Sequence, residues 1–303
     1  MLDQKLEHFS KTTKSKFLPN YSLKKLNWFN IGGKAKFYFN AENLEELVKF
    51  LKEFGKDINI LVLGAGSNIL LSDKLFDGVV IKLGKNFSKI SLMPNDVIVA
   101  GSAVSDKKLS EFALQHSIGG FEFLSCIPGT IGGGIKINSG CFGKEFKDIL
   151  ISIQVIEKHS GFIKTIPSSQ INFGYRKCDI YKKYIYLSAS FKGIKKDKNL
   201  INQEINFLKK KKEIAQPSKI KTGGSTFKNP LEQTTEKVWK LINKSVSINT
   251  SFGDACISKK HCNFLINKSD AKFEDMLKLI RYIEREVKSK TGIQLETEIE
   301  IIE

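Results

Sequence analysis

The stretch Ile58-Asn-Ile-Leu-Val-Leu-Gly-Ala-Gly-Ser-Asn68 joins a short apolar segment, which predicts a strand, to a turn with two glycines. A second glycine-rich turn is Ile127-Pro-Gly-Thr-Ile-Gly-Gly-Gly134. Glycine lets successive backbone N–H groups point inward at anionic oxygens. Hydrogen-bonding side chains accompany the turns: Ser67, Asn68, Thr130 and Asn138. Two such turns favour a large phosphate-bearing cofactor, and two tight turns without a ligand are the alternative.

The first turn does not carry the dinucleotide-binding Rossmann fingerprint. That fingerprint needs a third glycine and a following helix of real length. Position 69 is isoleucine instead, and Ile69-Leu70-Leu71 predicts another strand. We therefore reject a Rossmann domain.

The remaining pattern mixes helices and strands. Apolar periodicity predicts helices over residues 44–54, 107–117, 199–212, 236–243 and 270–292. Strands are predicted over residues 58–63, 69–71, 78–83, 97–100 and 293–302, with further alternating strands between 151 and 191. Residues 1–26 are lysine-rich and predict no element. The pattern predicts an α+β fold, with a change of composition near residue 195.

Composition indicates a globular protein with room for two domains, since 41% of the 303 residues are hydrophobic and 10% are aromatic. No run approaches the ~18 apolar residues of a membrane helix, and no signal-peptide core is present. We therefore expect a soluble, cytoplasmic protein with no membrane contact. The five cysteines form no CxxC pair and the four histidines no HxxxH pair, which argues against a disulfide framework and a metal site.

The formal net charge is +17, from 49 basic and 32 acidic residues. Such a charge suits either a nucleic-acid surface or a dispersed lysine-rich surface that handles phosphate-bearing small molecules. The lysines are spread along the chain, and no RNA-recognition, zinc-finger or aromatic–basic pattern is present. We expect small-molecule partners and no nucleic acid, with a basic nucleic-acid-binding protein as the alternative.

Only three of the 49 basic residues are arginines: Arg176, Arg281 and Arg285. Arg176 stands apart from the lysine-rich segment that holds the other two. Its planar fork recognises carboxylates and developing oxyanions in a way that lysine does not. Downstream, Gly223-Gly-Ser-Thr-Phe-Lys-Asn-Pro230 offers the Ser225 hydroxyl on a tight turn. These features favour an enzyme for an anionic substrate; a structural salt bridge and a turn-forming serine are the alternatives.

Six motifs, in order along the chain, resemble the UDP-N-acetylenolpyruvoylglucosamine reductase family, flavoenzymes of peptidoglycan precursor synthesis. They are Asn27-Trp-Phe-Asn-Ile-Gly-Gly33, Leu63-Gly-Ala-Gly-Ser-Asn68, Ile127-Pro-Gly-Thr-Ile-Gly-Gly133, Tyr175-Arg176, Gly224-Ser-Thr-Phe-Lys-Asn-Pro230 and His261-Cys-Asn-Phe-Leu-Ile-Asn267. One motif alone is weak, whereas six in order are specific. The resemblance runs from about residue 27 to the C-terminus.

The resemblance implies an α+β fold whose residues 28–193 form an FAD-binding domain of the vanillyl-alcohol-oxidase (PCMH) type. An N-terminal segment would cover residues 1–27. A smaller α+β substrate-binding domain would cover residues 205–303, with its last strand returning to the active site. FAD would be bound non-covalently by residues of the turns: Gly64, Ala65, Gly66, Ser67, Asn68, Gly101, Pro128, Gly129, Thr130, Gly132, Gly133, Asn138 and Gly140.

The resemblance also implies a reaction. NADPH reduces the flavin and leaves, and the enolpyruvyl ether of UDP-N-acetylglucosamine then accepts hydride and a proton to give UDP-N-acetylmuramate for the cell wall. Arg176 matches the family's clamp for the developing negative charge, and Ser225 matches the proton donor to C2. The implied substrate contacts are Tyr175, Lys228 and Asn229.

The end of the chain leaves one ambiguity. Period-2 alternation in the predicted final strand puts Glu296, Glu298 and Glu300 on one face. A solvated acidic face is the expectation for two of the three, and the pattern alone does not choose the third. The family motif, Leu-Glu-x-Glu-hydrophobic, places the catalytic carboxylate at Glu298.

The chain departs from the family pattern in three places. Gly134 stands where alanine is more common, which we expect only to free the backbone, and Cys178 replaces a usual serine. The short connection after Arg176 resembles the subtype that lacks a substrate-covering tyrosine loop. The rival within this fold is a flavin oxidase of a hydroxy acid or alcohol, which would lack the Ser225 motif and Glu298.

Overall fold

The computed structural model describes residues 2–303, and the chain forms two compact units. The first contains residues up to Tyr21, Ala35–Ala65 and Asp77–Lys211; the second contains Ser22–Lys34, Gly66–Phe76 and Lys212–Glu303. The second unit thus includes two segments that precede residue 193. The boundaries at 28–193 and 205–303 stay predictions about functional domains.

The described residues contain the helices α1 (Leu2–Thr12), α2 (Leu44–Phe54), α3 (Asp106–Gln115), α4 (Ile131–Lys136), α5 (Lys198–Ala215), α6 (Val238–Ser245) and α7 (Phe273–Thr291). The helix predicted at 44–54 is α2, and the side chain of Asn43 accepts a hydrogen bond from the Glu46 N–H at 2.9 Å. The sequence did not predict α1, which forms because Leu6 and Phe9 are buried. Within residues 2–303, no helix has the length and apolar character needed to cross a bilayer.

The strands are mostly short. They are β1 (Lys16–Ser22), β2 (Lys34–Ala41), β3 (Ile60–Val62), β4 (Ile69–Leu71), β5 (Phe76–Leu83), β6 (Ile90–Met93), β7 (Val97–Gly101), β8 (Ile118–Gly119), β9 (Gly140–Cys141), β10 (Lys144–Glu145), β11 (Leu150–Glu157), β12 (Ile163–Pro167), β13 (Phe173–Gly174), β14 (Lys177–Cys178), β15 (Tyr184–Lys192), β16 (Ile194–Lys195), β17 (Ser251–Phe252), β18 (Ala255–Ile257), β19 (Leu265–Asn267) and β20 (Glu300–Ile302). The mixture agrees with the predicted α+β fold.

Two sheets organise the first unit. One has the strand order β1-β2-β5-β3, in which β3 and β5 are parallel. The other has the order β12-β11-β15-β7-β6 and is antiparallel throughout. The first sheet packs in a phenylalanine-rich core where the Phe9 ring lies edge-on to neighbouring rings, with centroids 5.3 to 5.8 Å apart: Phe17, Phe39, Phe50 and Phe54. The second sheet buries Phe121, Phe146 and Phe191.

The second unit is built on α6, α7 and the three-stranded sheet β17-β18-β19. Its chain end pairs in parallel with β4, from Glu300 beside Ile69 to Ile302 beside Leu71. The strand predicted over 293–302 is therefore wrong for most of its length, because β20 starts only at Glu300. Leu295 and Ile299 are buried while Thr297 is half-buried, so the earlier residues do not keep a period of two.

Gly134 in α4 is required by packing, which corrects the expectation that it only frees the backbone. A Cβ at this position would lie 2.3 Å from Cε2 of Phe146, whose side chain is fully buried. A methyl group therefore needs a rearrangement of the core.

We predict that Gly134→Ala lowers the free energy of unfolding by about 1–3 kcal/mol, the usual cost of overpacking a core. The cost should shrink when Phe146→Leu makes room for the methyl group. Urea unfolding of wild type, both single variants and the double variant measures this coupling. An equal cost of the alanine in both backgrounds would contradict the proposed clash.

Asp106, the first residue of α3, is a buried ionisable residue of the first unit. Its side chain is fully buried, and neither carboxylate oxygen has a hydrogen-bond partner among residues 2–303. Burial raises the pKa of this carboxyl well above its usual range. The folded protein thus holds the carboxyl in its neutral form more strongly than the unfolded chain does.

A raised pKa in the folded state gives stability at low pH that is lost as pH rises through that pKa. We therefore predict that Asp106→Asn gains stability relative to wild type as pH rises above about 4, by at most about 1.4 kcal/mol per pH unit. Urea unfolding at several pH values measures the difference. Asp57→Asn, at an exposed carboxylate, is the control for the substitution itself. A flat difference for Asp106→Asn would show that the carboxyl ionises normally.

Candidate active site

Ser225 lies in a turn that requires both of its glycines. A Cβ at Gly223 would lie 2.4 Å from Cε2 of Phe29, and Gly224 adopts φ +82°, a conformation that L side chains rarely take. Ser225 then forms an isolated antiparallel bridge with Phe264 and remains half-buried. The backbone therefore presents a serine from a tightly fixed turn, as the glycine pattern predicts.

The segment after Ser225 pairs with the end of the chain. The Glu298 N–H donates to the Thr226 carbonyl at 2.7 Å, and the Lys228 N–H donates to the Glu296 carbonyl at 2.9 Å. Phe227 forms the bridge between these bonds, opposite Thr297. The structure thus brings the predicted Ser225 and Glu298 onto neighbouring segments of the second unit.

The three glutamates near the C-terminus differ in their surroundings. The Glu296 side chain is 73% exposed and forms an ion pair with Lys228 at 3.2 Å. Glu298 and Glu300 are half-buried, and both are held by Asn68. The side-chain amide of Asn68 donates to the Glu298 backbone carbonyl at 3.0 Å. The backbone carbonyl of Asn68 accepts from the Glu300 N–H, also at 3.0 Å. The three glutamates are therefore not equivalent, as a regular strand would make them. Glu296 is exposed, whereas Glu298 and Glu300 are half-buried.

Asn263 contacts the serine segment, and His261 contacts Asn263. The Asn263 carbonyl accepts from the Thr226 N–H at 2.8 Å, and the Asn263 N–H donates to His261 Nδ1 at 3.3 Å. Burial lowers the pKa of His261, which favours the neutral ring that can accept this hydrogen bond. Both residues lie within the His261–Asn267 motif, but the motif does not reveal which backbone groups Asn263 contacts.

Arg176 lies in the first unit, in the two-residue loop between β13 and β14. It adopts φ +55°, which is costly for a residue with a side chain. Its Nη2 donates to the Gly140 carbonyl at 2.9 Å, its Nη1 lies 3.5 Å from Glu145 Oε1, and its Cζ lies 5.0 Å from the centroid of the Tyr175 ring. With its side chain only 16% exposed, the guanidinium is held in a fixed orientation.

Glu145 is a residue of this site that the sequence did not identify. Besides Arg176, it contacts Lys147 at 3.1 Å and accepts from the Asn138 amide at 3.0 Å. Asn138 is fully buried, also donates to the Gly174 carbonyl at 3.2 Å and accepts from the Lys147 N–H at 3.0 Å. Asn138, a predicted cofactor contact, thus uses its amide to organise the arginine loop. No local sequence pattern marks Glu145 as a site residue, because its contact with Arg176 joins two separate parts of the chain.

The two glycine turns come together in the first unit. A Cβ at Gly64 would lie 2.6 Å from Thr130 Oγ1, so this approach needs glycine. Thr130 caps α4, since its hydroxyl accepts from the Gly133 N–H at 3.4 Å. Ala65 is half-buried beside Gly64, whereas Gly66, Ser67 and Asn68 belong to the second unit.

The second turn differs from the open nest of N–H groups that the sequence predicted. The N–H groups of Ile131, Gly132 and Gly134 donate to the carbonyls of Val104, Ser102 and Thr130, respectively, at 2.8 to 2.9 Å. These donors are therefore engaged within the protein. The features that fit a large phosphate-bearing cofactor are the glycine backbone at Gly64 and the Thr130 hydroxyl beside it.

The other predicted site residues have protein contacts of their own. In the second unit, Asn229 Oδ1 accepts from the Val238 N–H at 3.0 Å, at the start of α6. In the first unit, a Cβ at Gly101 would lie 2.0 Å from the Phe87 carbonyl oxygen, one at Gly129 2.7 Å from Asp106 Oδ2, and one at Gly140 2.1 Å from the Lys144 carbonyl oxygen. Pro128 is the residue immediately before Gly129.

Family models match both halves of the chain. Residues 35–166 match an FAD binding domain, and residues 216–302 match the C-terminal domain of UDP-N-acetylenolpyruvoylglucosamine reductase. The predicted fold class, an FAD-binding domain followed by a smaller α+β domain, and the FAD cofactor are therefore confirmed.

Curated relatives are similar over nearly the whole chain. The UDP-N-acetylenolpyruvoylglucosamine reductase of Pelagibacter ubique is 61% identical over 99% of this chain and 99% of its own length, and that of Rickettsia akari is 40% identical over 96% and 97%. The crystal structure of the reductase from Thermus caldophilus superposes with a TM-score of 0.81 at 28% identity, covering 96% of this chain and 99% of that one. The chain belongs to the UDP-N-acetylenolpyruvoylglucosamine reductase family.

Proposed function

We propose that this chain reduces UDP-N-acetylenolpyruvoylglucosamine to UDP-N-acetylmuramate with NADPH, and that Ser225 and Glu298 are catalytic. Family membership makes the chain an FAD-dependent oxidoreductase of peptidoglycan precursor synthesis. The observation that carries the proposal is the 2.7 Å hydrogen bond that joins Glu298 to the residue after Ser225. The substrates are small molecules, and the cytoplasm is the proposed location.

Ser225 is the proposed proton donor. When bound, FAD supplies hydride, obtained from NADPH, to C3 of the enolpyruvyl ether. Negative charge then develops at C2 of the substrate and spreads into its carboxylate. A serine hydroxyl is a weak acid, but a carbanion-like C2 is a far stronger base, and a fixed turn removes the cost of orienting the hydroxyl.

Arg176 is the proposed electrostatic clamp. Its guanidinium can form a bidentate pair with the substrate carboxylate and stabilise the negative charge that develops there. The contacts with Gly140 and Glu145 hold the planar group in place before substrate arrives. The same Glu145 contact also fits the alternative role, a structural ion pair, so the clamp rests on the family resemblance and on the strained φ.

The half-buried Glu298 is the proposed carboxylate of the proton-transfer site. Glu296 is largely exposed and paired with Lys228, and the family motif favours Glu298 over the equally half-buried Glu300. Tyr175, Lys228 and Asn229 stay proposals as substrate contacts. The FAD contacts implied by the resemblance also stay proposals, with Gly64 and Thr130 the best supported by their close approach.

The half-reactions test the role of Ser225. Ser225→Ala removes only the proton for C2, so flavin reduction by NADPH should stay near the wild-type rate. Reoxidation of the reduced flavin by the enolpyruvyl substrate should slow by about 10²–10⁴-fold, the usual contribution of a positioned acid. Anaerobic stopped-flow absorbance of the flavin follows both steps.

Ser218→Ala is the matched control for Ser225→Ala, because Ser218 is an exposed serine of the same unit. It should leave both half-reactions unchanged. If Ser225→Ala slows both half-reactions equally, the serine is structural and the proposed role is wrong.

The three glutamates can be separated in the same assay. Glu298→Gln keeps the shape and removes the ionisable group, so it should slow substrate-dependent reoxidation steeply and leave thermal stability nearly unchanged. Glu296→Gln and Glu300→Gln should each stay within about threefold of wild type. If Glu300→Gln has the large effect instead, the catalytic carboxylate is Glu300. If none of the three variants has a large effect, the proposed carboxylate role is wrong.

A further inference from the structure

Asn263 holds the backbone next to Ser225 with its side chain. The Asn263 amide Nδ2 donates to the Phe227 carbonyl at 2.9 Å, and Oδ1 accepts from the Phe227 N–H at 3.0 Å. The carboxamide thus takes both polar groups of one residue, as a neighbouring strand would. Asn263 is 3% exposed and Phe227 is 1% exposed, so water cannot replace these bonds easily.

This double hydrogen bond lies on the C-terminal side of Ser225, and a glycine lies on its N-terminal side. Gly224, which precedes the serine, is the residue type with the widest backbone freedom. The residues that follow the serine therefore add to the restraint that the Gly223 packing and the Phe264 bridge provide. The Asn263 backbone holds Thr226, and its carboxamide holds Phe227, so one buried residue fixes two consecutive positions after Ser225.

We propose that Asn263 is a positioning residue for Ser225, whose carboxamide sets the direction of the serine hydroxyl. The inference rests on the proposed role of Ser225 as the proton donor. Proton delivery to carbon depends steeply on placement, and a displacement of about 1 Å can cost about a hundredfold in rate. Loss of one carboxamide hydrogen bond should therefore displace the backbone of residues 225–227 and slow proton transfer from Ser225.

Asn267 supplies a matched control within the same unit. It is 2% exposed, its Nδ2 donates to the Phe29 carbonyl at 2.8 Å, and its Oδ1 accepts from the Ala271 N–H at 2.9 Å. Each buried carboxamide thus donates one hydrogen bond to backbone and accepts one from backbone. They differ in their partners, since the Asn267 carboxamide bonds to Phe29 and Ala271, whereas the Asn263 carboxamide bonds twice to Phe227.

The test compares Asn263→Asp with Asn267→Asp. Each change keeps the side-chain shape and replaces a buried amide NH2 donor with a carboxyl oxygen, so both should lower the melting temperature. Only Asn263→Asp should slow substrate-dependent flavin reoxidation, by about tenfold to a hundredfold. Flavin reduction by NADPH should stay within about twofold of wild type in both variants. Equal effects on reoxidation would show that the Asn263 bonds are merely structural.

A double-variant cycle asks whether Asn263 acts through Ser225. If it does, Ser225→Ala/Asn263→Asp should reoxidise at the rate of Ser225→Ala alone, because there is no hydroxyl left to misplace. Effects that multiply would overturn the inference. If Asn263→Asp does not fold, Asn263→Ser, which leaves a smaller hydrogen-bonding group, goes through the same cycle.

The cycle also separates the inference from the proposed function. If Ser225→Ala reoxidises normally, the proton-donor role of Ser225 fails and the positioning role falls with it. If Ser225→Ala is slow and the folded Asn263 variants are not, only the positioning role of Asn263 is overturned.

Discussion

The candidate site of the second unit depends on the backbone pairing of residues 225–228 with the last residues of the chain. The 2.7 Å bond from the Glu298 N–H to the Thr226 carbonyl fixes the register of that pairing. A shift of one residue would turn Glu298 away and present a neighbour instead. The register is further held by the burial of Leu295 and Ile299 in the core of the unit and by Asn68, which bonds to both Glu298 and Glu300. Hydrophobic packing at the chain end thus determines which carboxylate is available.

In the first unit, the main constraint at the candidate site is the orientation of a charged side chain, that of Arg176. Arg176 adopts a left-handed backbone conformation and is oriented by a carbonyl, a carboxylate and an aromatic ring. The carboxylate belongs to Glu145, which Asn138 and Lys147 hold in turn. Lysine, with a single ammonium on a flexible stem, cannot make these contacts at once. The arrangement gives a physical reason for the use of arginine at this position in a lysine-rich chain.

Glycine has at least three distinct roles in this molecule. Gly224 supplies a positive φ, Gly64 allows a close approach to Thr130, and Gly134 leaves room for the Phe146 ring. Only the first of these roles concerns backbone freedom. In the second glycine turn, the N–H groups of Ile131 and Gly132 bond to the 102–104 segment, and those of Gly133 and Gly134 bond to Thr130. Glycine there therefore favours close packing more than an open anion nest. A glycine-rich turn in a sequence therefore predicts close approach without specifying what approaches.

The sequence alone determined the α+β class, most helices, the two glycine turns and the family, because periodicity, helix caps and ordered motifs are local signals. It singled out Ser225 and Arg176 as candidate site residues through a glycine turn and through the scarcity of arginine. It did not predict α1, whose stability comes from two buried side chains in a distant core, or the short extent of β20. It also could not distinguish Glu296 from Glu298, or find Glu145 and Asn263. Each of those residues has a contact far away along the chain, such as Arg176 for Glu145 and Phe227 for Asn263, and only tertiary structure decides such contacts.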